Sequence, residues 1–281
     1  MRTSRFAQLV VLTAISAFAA SPLGAQRTSA RSPDRAAEDW LDRCERSDRG
    51  SGNDRERFCE LRDERLRAPR SLDIDGDQNG SVSVHGWDRD EVRVLAKIQT
   101  NAEDAGDAKA LASRVNIETA NGRIHAEGPR LQRRESWAVS FEVWMPRETD
   151  LRVSTHNGSI SVEDVQGRVD LGAVNGALAL RNVAGDVRGE TTNGALEVEL
   201  DGERWRGSGL DLRTTNGQVR LGIPSGYSAR LETGTVNGGM QIDFPVTLQG
   251  TIGRRITTQL GNGGPPIRAV TTNGQVLIQR R

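Results

Sequence analysis

The stretch of the sequence that most suggests chemistry is DIDGDQNGSVS at residues 73–83. Asp75, Asp77 and Asn79 match the first half of a calcium-binding loop, in which oxygen ligands alternate along the chain. The second half does not match, because the twelfth position is Gly86, where the loop requires a bidentate Glu. We therefore interpret the segment as an Asn-Gly corner with acidic neighbours, and keep its three oxygen-bearing residues as a weak metal candidate.

The sequence predicts no catalytic residues and no cofactor. His85, His125 and His156 lie at different distances from their nearest Asn-Gly pairs, so a zinc site built from them is not predicted. No Ser-His-Asp signature, nucleophile elbow or phosphate-binding loop is present. Asp164 and Asp170 fall at different offsets within the repeats described below, so no carboxylate pair of the glycosidase kind is visible. A polysaccharide-acting β-helix enzyme is kept as the alternative function.

Four tryptophans could contact a ligand, because an exposed indole ring can stack on a sugar. They are Trp87, Trp137, Trp144 and Trp205. Trp144 alternates poorly with the apolar residues before it and lies two residues before Pro146. We therefore expect Trp144 to be exposed and to be a candidate for carbohydrate contact.

The elements that would position these residues are set by a repeated corner. The tetrapeptide TTNG occurs at 191–194, 214–217 and 271–274, and looser forms containing Asn-Gly precede and separate them. Asn157, Asn175 and Asn193 follow one another at intervals of 18 residues, and the next two intervals are 23 and 21. A fixed motif at spacings near 20 indicates a repeat architecture, and the alternating apolar residues between corners indicate strands.

The sequence predicts an all-β repeat solenoid with one asparagine ladder. Alternation along the strands suggests that each Asn shares the inward face of the apolar residues before it. Stacking at about 4.8 Å would let corresponding amides hydrogen-bond to one another. Positive φ angles at Asn and Gly would make the corner. The predicted ladder residues are Asn121, Asn157, Asn175, Asn193, Asn216, Asn237 and Asn273.

An antiparallel β-meander or sandwich is the alternative fold. Asn-Gly between alternating strands is also a strong hairpin signal, and the same parity would allow Thr191 to pair with Leu196. The regular recurrence of the corner in one phase favours the solenoid.

Residues 1–25 are predicted to be a signal peptide. A basic start is followed by an apolar stretch from Phe6 to Ala20 and by a small-residue exit, with cleavage after Ala25 or alternatively after Ala19. Later stretches are too polar to span a bilayer, so we predict an exported chain without a transmembrane segment, in the periplasm, at the cell surface or secreted. Loss of Arg2 and Arg5 would leave 36 basic residues against 38 acidic ones, a balance that excludes nucleic acid as an expected partner.

Residues 26–70 are predicted to form a charged helical hairpin closed by a disulfide. The segments 34–46 and 54–67 each have apolar residues on one face and a high density of Glu and Arg elsewhere. Cys44 and Cys59 are the only cysteines, one in each segment, and an exported chain favours their oxidation.

From residue 71 to 281 the chain resembles a known family, the exported bacterial domains described as putative adhesins with β-strand repeats. The resemblance rests on WMPRETDLRVSTHNGSISV, GIPSGYSARLETGTVNGGMQI and LGNGGPPIRAVTTNGQVLI. It implies an exported, right-handed β-helix-like body without catalytic residues. We therefore expect a non-enzymatic binding, adhesion or envelope-scaffold module whose partner is a cell-envelope or extracellular protein or glycan.

Overall fold

The computed structural model describes residues 32–48, 55–243 and 254–281. The predicted signal peptide lies outside these residues, as does most of the turn predicted between the two helices. Among the described residues, no helix combines the length and apolar character that crossing a lipid bilayer requires.

The described residues form two helices and twenty strands. In chain order these are α1 (Pro33–Asp48), β1 (Glu56–Arg67), β2 (Ser71–Asp75), β3 (Val82–Trp87), β4 (Glu91–Ala102), α2 (Ala105–Ser113), β5 (Asn116–Glu118), β6 (Arg123–Glu127), β7 (Ser136–Pro146), β8 (Asp150–Thr155), β9 (Ile160–Glu163), β10 (Gln166–Ala173), β11 (Leu178–Arg181), β12 (Ala184–Asn193), β13 (Leu196–Glu199), β14 (Gly209–Asn216), β15 (Val219–Ile223), β16 (Ala229–Asn237), β17 (Met240–Ile242), β18 (Arg255–Leu260), β19 (Pro266–Asn273) and β20 (Val276–Arg280).

The strands form two ten-stranded sheets, so the all-β class predicted from the sequence is confirmed. Sheet 1 has the order β1-β4-β7-β3-β9-β11-β13-β15-β20-β17. Sheet 2 has the order β18-β16-β19-β14-β12-β10-β8-β2-β6-β5. From β8 to β15 the chain alternates between the two sheets, and each strand pairs in parallel with the strand one repeat later.

The antiparallel alternative is wrong within the repeats. Thr191 pairs with Ala173 and Thr214 on the neighbouring repeats, and Leu196 pairs with Leu178 and Val219 in the other sheet. Antiparallel pairs occur instead near the ends of the sheets, where β1, β4 and β7 pair in sequence and β18 pairs with β16. The parallel register wins because it places the same apolar position of every repeat over its equivalent.

The main core is a stack of aliphatic side chains between the sheets. In sheet 1, Leu178, Leu196 and Val219 lie side by side on adjacent strands and are almost completely buried. In sheet 2, Val187 and Leu210 are stacked and buried in the same way. Each fully buried Leu or Val contributes about 1.5–3 kcal/mol, so the repeat is stabilised by many similar layers. This explains how a chain with few aromatic residues forms a large core.

The glycine of most Asn-Gly corners is required by close packing and not by a positive φ angle. A Cβ atom on Gly194 would lie 1.9 Å from the carbonyl oxygen of Gly176 in the preceding repeat. The left-handed geometry that we predicted for the corner occurs at a different pair, Asn121 and Gly122, with φ angles of 56° and 74°. These two residues connect β5 and β6, which pair antiparallel as a hairpin.

The prediction of a second helix at 54–67 is wrong. The segment forms β1, which pairs antiparallel with β4 along its whole length. The disulfide joining Cys44 to Cys59 therefore connects α1 to an edge strand of sheet 1 and not to another helix. Local composition favours a helix there, but twelve consecutive backbone pairs with β4 outweigh it.

The last repeat is inserted out of sequence order. In sheet 2, β19 lies between β14 and β16, and in sheet 1, β20 lies between β15 and β17. Strand β18 reverses direction and pairs antiparallel with the outer edge of β16. The chain then returns, and β19 pairs in parallel with both β14 and β16.

Candidate functional site

A hollow with a repeating lining lies on the outer face of sheet 2. It has a volume of about 690 Å³, and we call it the outer groove. Its lining crosses strands β8, β10, β12, β14, β19 and β16 near the ends that lead into the Asn-Gly corners. Because side chains alternate along a strand, the outward-facing residues near these strand ends line the groove.

Small residues in one register row make the outer face concave. The row runs Ser154, Gly172, Glu190, Arg213, Val270 and Gly234, each paired with the next across the sheet. No atom lies within 4 Å of the position that a Cβ would take on Gly172. Gly172 therefore leaves open space beside the larger side chains, whereas at Gly234 the backbone of Arg254 already occupies it, with its carbonyl oxygen 2.6 Å from the Cβ position.

A second row adds hydroxyl and methyl groups at the groove edge. It consists of the residues before five of the ladder asparagines, namely Val174, Thr192, Thr215, Thr272 and Val236. The three threonines are exposed, and Val236 is the more exposed of the two valines, with 54% of its surface accessible. This edge can donate and accept hydrogen bonds and also offers two apolar contacts.

The arginine side chains at the groove form ion pairs with acidic residues of β14 and β16. Asp211 accepts from Arg213 at 2.7 Å and from Arg268 at 3.0 Å. Burial alone would raise the pKa of Asp211, but hydrogen bonds from the two guanidinium groups outweigh it and lower the pKa. Arg268 also approaches Glu232, with 4.0 Å between Nε and Oε2. These contacts fix the arginines and leave some of their N–H groups available to a ligand.

The predicted asparagine ladder lies on the surface. Six of the seven predicted residues, together with Asn79, are joined by side-chain amide hydrogen bonds, and five of these bonds are 2.8 Å long. The order along the ladder is Asn79, Asn157, Asn175, Asn193, Asn216, Asn273 and Asn237. All of them are exposed, so the prediction that they face inward with the apolar residues is wrong. Asn121 lies outside the ladder, in the β5–β6 turn.

Threonine occupies the inward position that we assigned to asparagine. Thr191 and Thr214 are buried, and their hydroxyls donate to the carbonyl oxygens of Gly176 and Gly194 at 2.8 Å. Thr155 and Thr271 make the equivalent bonds. The alternation changes phase one residue before each Asn, which is why parity counted through the Asn gave the wrong face.

The calcium-loop candidate is used by the chain itself. Asp75 accepts from the backbone N–H of Asp77 at 3.0 Å, and the Oδ1 atom of Asn79 accepts from Asn157 at 3.1 Å. Asp77 has a φ angle of 52°, and so the segment is a tight corner. Two of the three oxygen-bearing side chains thus already have protein partners.

The expectation that Trp144 is exposed is wrong. It is 1% exposed, packs with Ala36 of α1 and Leu95 of β4, and stacks on His85 at a centroid distance of 5.1 Å. Trp87 is half-buried in the same cluster, and its indole N–H donates to the Glu91 carbonyl. Helix α1, tethered by the disulfide, covers this part of sheet 1, so the Trp144 ring has no exposed face for sugar stacking.

A buried charged cluster adjoins Trp144. Glu142 is 5% exposed and contacts both Lys97 and His85, with 3.2 Å between its Oε1 atom and Nε2 of His85. Glu163 lies 3.6 Å from the other nitrogen of His85. Burial alone would raise the pKa of Glu142, but hydrogen bonds from His85 and Lys97 lower it to about 2. Sequence reasoning missed this cluster, because its members come from four strands and share no motif.

The structure also brings together Glu118, His125 and Glu127, which sequence reasoning did not connect. Reading Asn121-Gly122 as a hairpin turn would have found them, because that turn pairs residue 118 with residue 125. We treated this Asn-Gly pair as one more corner of the repeat, and so placed the three residues on separate elements.

The parallel repeats define a β-strand repeat protein. The Toastrack DUF4097 family model matches residues 70–279, most of the chain, and the chain therefore belongs to this family. This agrees with the resemblance noted from the sequence over residues 71–281.

Comparison with solved structures gives matches of low sequence identity. A "putative cell adhesion protein" from Clostridium sporogenes has 8% identity and a TM-score of 0.40, over 79% of this chain and 100% of that one. A "putative adhesin" from Parabacteroides distasonis has 9% identity and a TM-score of 0.35, over 78% and 97%. A "putative lipid binding protein" from the same species has 9% identity and a TM-score of 0.32, over 83% and 98%. Comparison with curated proteins gives no match.

Proposed function

We propose that the protein is an exported, non-enzymatic binding module of the cell envelope or extracellular space, and that the outer groove binds a glycan. The single observation behind this proposal is the hollow of about 690 Å³ that crosses six strands. Its lining combines three exposed threonine hydroxyls with arginine and glutamate side chains. A polyhydroxylated ligand can exchange hydrogen bonds with all of these groups.

The rigidity of the scaffold supports binding. The groove-lining residues belong to consecutive parallel strands whose backbones are paired on both sides, so their positions are fixed before a ligand arrives. Preorganised groups lose little conformational entropy on binding, which favours affinity. We also propose that the alternating strands wind as a right-handed solenoid, in keeping with the general handedness of parallel crossover connections.

Export is supported by the disulfide between Cys44 and Cys59, because such bonds persist in oxidising compartments. We propose that residues 1–25 are removed. Intact-mass analysis of the protein recovered from its native envelope would then give a chain that begins at Gln26. A chain retaining residue 1 would contradict the proposal.

The binding proposal is tested by filling the groove floor. The mature chain, residues 26–281, is assayed on a glycan array and against isolated envelope polysaccharides. We expect Gly172→Leu to weaken binding at least tenfold, because open space surrounds this position and the new side chain would occupy the ligand's volume. Ala179→Leu, on the outer face of sheet 1, is the matched control and keeps wild-type affinity.

Two results would overturn the proposal. Equal affinity of the Gly172→Leu and wild-type chains would show that the ligand does not bind in the groove. Binding only to envelope proteins would show that the ligand is a protein and not a glycan. Shortening of a polysaccharide during incubation would instead support the alternative function, a polysaccharide-acting enzyme.

A further inference from the structure

The β5–β6 hairpin holds three ligand-type side chains on one face. Glu118 pairs directly across the hairpin with His125, and Glu127 lies two residues beyond His125 on the same strand. Side chains at these positions point to the same side of a β-ribbon. The opposite face carries Ile124, which is completely buried in the main core.

The hairpin is anchored to sheet 2 close to its turn. β6 pairs in parallel with β2, where Ile124 lies beside Ile74. The turn is left-handed at Asn121 and Gly122, and a Cβ atom on Gly122 would lie 2.7 Å from the carbonyl oxygen of Ser71. The backbone separation of Glu118 and His125 is therefore fixed by the fold and not by the cluster itself.

The three ligand atoms converge closely. Nε2 of His125 lies 2.9 Å from Oε2 of Glu118 and 3.4 Å from Oε1 of Glu127, and all three ligand atoms lie within 4.8 Å of one another. Ligand atoms around a tetrahedral zinc ion are roughly 3.3 Å apart, given metal–ligand bonds of about 2.0–2.1 Å. An ion therefore requires side-chain adjustments of only about 1 Å, and both glutamate side chains are exposed enough to make them.

Only one nitrogen of His125 can take part. Its Nδ1 atom is buried and has no hydrogen-bond partner among the described residues, whereas Nε2 faces both carboxylates. The described ion pairs of Glu118 and Glu127 are with this imidazole alone. Two carboxylates converging on one imidazole nitrogen form a negatively charged pocket that attracts a divalent cation.

We propose that Glu118, His125 and Glu127 bind a zinc ion, with a fourth position open to water or to a ligand atom. One imidazole and two carboxylates form a borderline donor set, which suits Zn²⁺ better than Mg²⁺ or Ca²⁺, since those ions prefer oxygen ligands alone. Three protein ligands leave one tetrahedral position free. The site is separate from the outer groove, so the proposal stands independently of the glycan.

The test is zinc titration of the mature chain, residues 26–281, after dialysis against EDTA and removal of any affinity tag. Both cysteines are in the disulfide, so a thiol cannot bind the added metal. We expect calorimetry to show one zinc per chain. His125→Gln and Glu127→Gln are each expected to weaken binding at least tenfold. His156→Gln, which alters another histidine outside the cluster, should leave it unchanged.

Glu127→Gln serves as a control for misfolding. The Glu127 side chain is 68% exposed, so we expect this variant to fold like the wild type. Loss of binding in a variant with a wild-type circular dichroism spectrum supports the site. Co²⁺ in place of zinc should give the visible absorption of a tetrahedral ion, and this signal should be absent in His125→Gln. Equal zinc affinity of wild type and His125→Gln, or no binding at 100-fold excess of metal, would show that the cluster is an ion pair of imidazole with two carboxylates.

Discussion

Asn-Gly pairs with the same sequence serve two physical purposes in this protein. At Asn193-Gly194 the amide joins the ladder, and the glycine lets two backbones approach more closely than any side chain permits. At Asn121-Gly122 both residues adopt the left-handed conformation of a hairpin turn. The same dipeptide therefore marks stacking in one place and chain reversal in the other.

The close approach at the ladder corner can be tested with a single methyl group. In Gly194→Ala the new Cβ would lie 1.9 Å from the carbonyl oxygen of Gly176, and neither backbone can move without disturbing the repeats beside it. We expect the free energy of unfolding to fall by about 2–3 kcal/mol, as for overpacking of a rigid interior. Urea denaturation followed by circular dichroism measures this change.

Gly172→Ala is the matched control, in the adjacent repeat. No atom lies within 4 Å of its added Cβ and its φ angle is not in the left-handed region, so the methyl group meets no obstacle. Replacing a strand glycine by alanine reduces the entropy of the unfolded chain, and we expect stabilisation of about 0.5 kcal/mol. If both variants lose the same stability, steric contact between corners is not the reason for these glycines.

At the scale of elements, β1 shows where local composition misleads. Its alternating Glu, Arg and Leu residues have high helix propensity, and the sequence predicted a helix accordingly. The long strand β4 offers an unpaired edge of matching length, and pairing with it places Phe58 and Leu66 against the main core. No local signal in 54–67 reveals that such an edge exists elsewhere in the chain.

The disulfide should matter most to α1. Among the described residues, the helix packs on sheet 1 through Ala36 and Ala37, and Asp34 near its start is bound by Arg93 at 2.6 Å. The closed loop spans 15 residues. The double variant Cys44→Ser, Cys59→Ser should therefore lose about 3 kcal/mol in the chain-entropy model.

Chemical denaturation of the mature chain measures this loss, and tryptophan fluorescence follows Trp144, which the helix covers. Wild-type protein treated with dithiothreitol should match the double variant, whereas the same treatment should not change the double variant. Unchanged stability on reduction would mean that packing and the Arg93 contact alone hold the helix in place.

At the scale of the whole molecule, the sequence predicts the repeat but not its order. Regular spacing of Asn157, Asn175 and Asn193 predicts successive layers, and the parallel register agrees. Asn273 nevertheless lies between Asn216 and Asn237, because the last strand is inserted after a turn-back. Every repeat presents nearly the same surface to its neighbours, so local pattern cannot distinguish sequential stacking from insertion.

The same limit applies to the sites. The outer groove arises from small residues spread over several repeats, and a single repeat shows only an alternating strand with a glycine. The buried cluster of Glu142, Lys97 and His85 depends on the pairing of β7 with β3 and β4. This pairing cannot be predicted from local sequence, because the three strands are far apart along the chain. Sites made by register between distant strands become visible only once that register is known.

This cluster predicts how the stability of the whole molecule depends on pH. The pKa of Glu142 is lowered from 4.5 to about 2 in the folded state. The unfolded chain therefore binds more protons between these values, and stability rises with pH across this window. The contribution of Glu142 is fully present above about pH 5 and is lost as the pH falls toward 2.

A double-mutant cycle isolates this contribution from other titrating groups. For Glu142→Gln and Lys97→Met, we expect a coupling free energy of about 1–3 kcal/mol at pH 7, since both partners are nearly buried. The coupling should decline below about pH 5 as Glu142 becomes protonated. Denaturation of the four proteins at pH 7, 5, 4 and 3 measures this. A coupling energy that is the same at pH 7 and pH 3 would mean that contact between the two side chains, and not the carboxylate charge, stabilises this part of the fold.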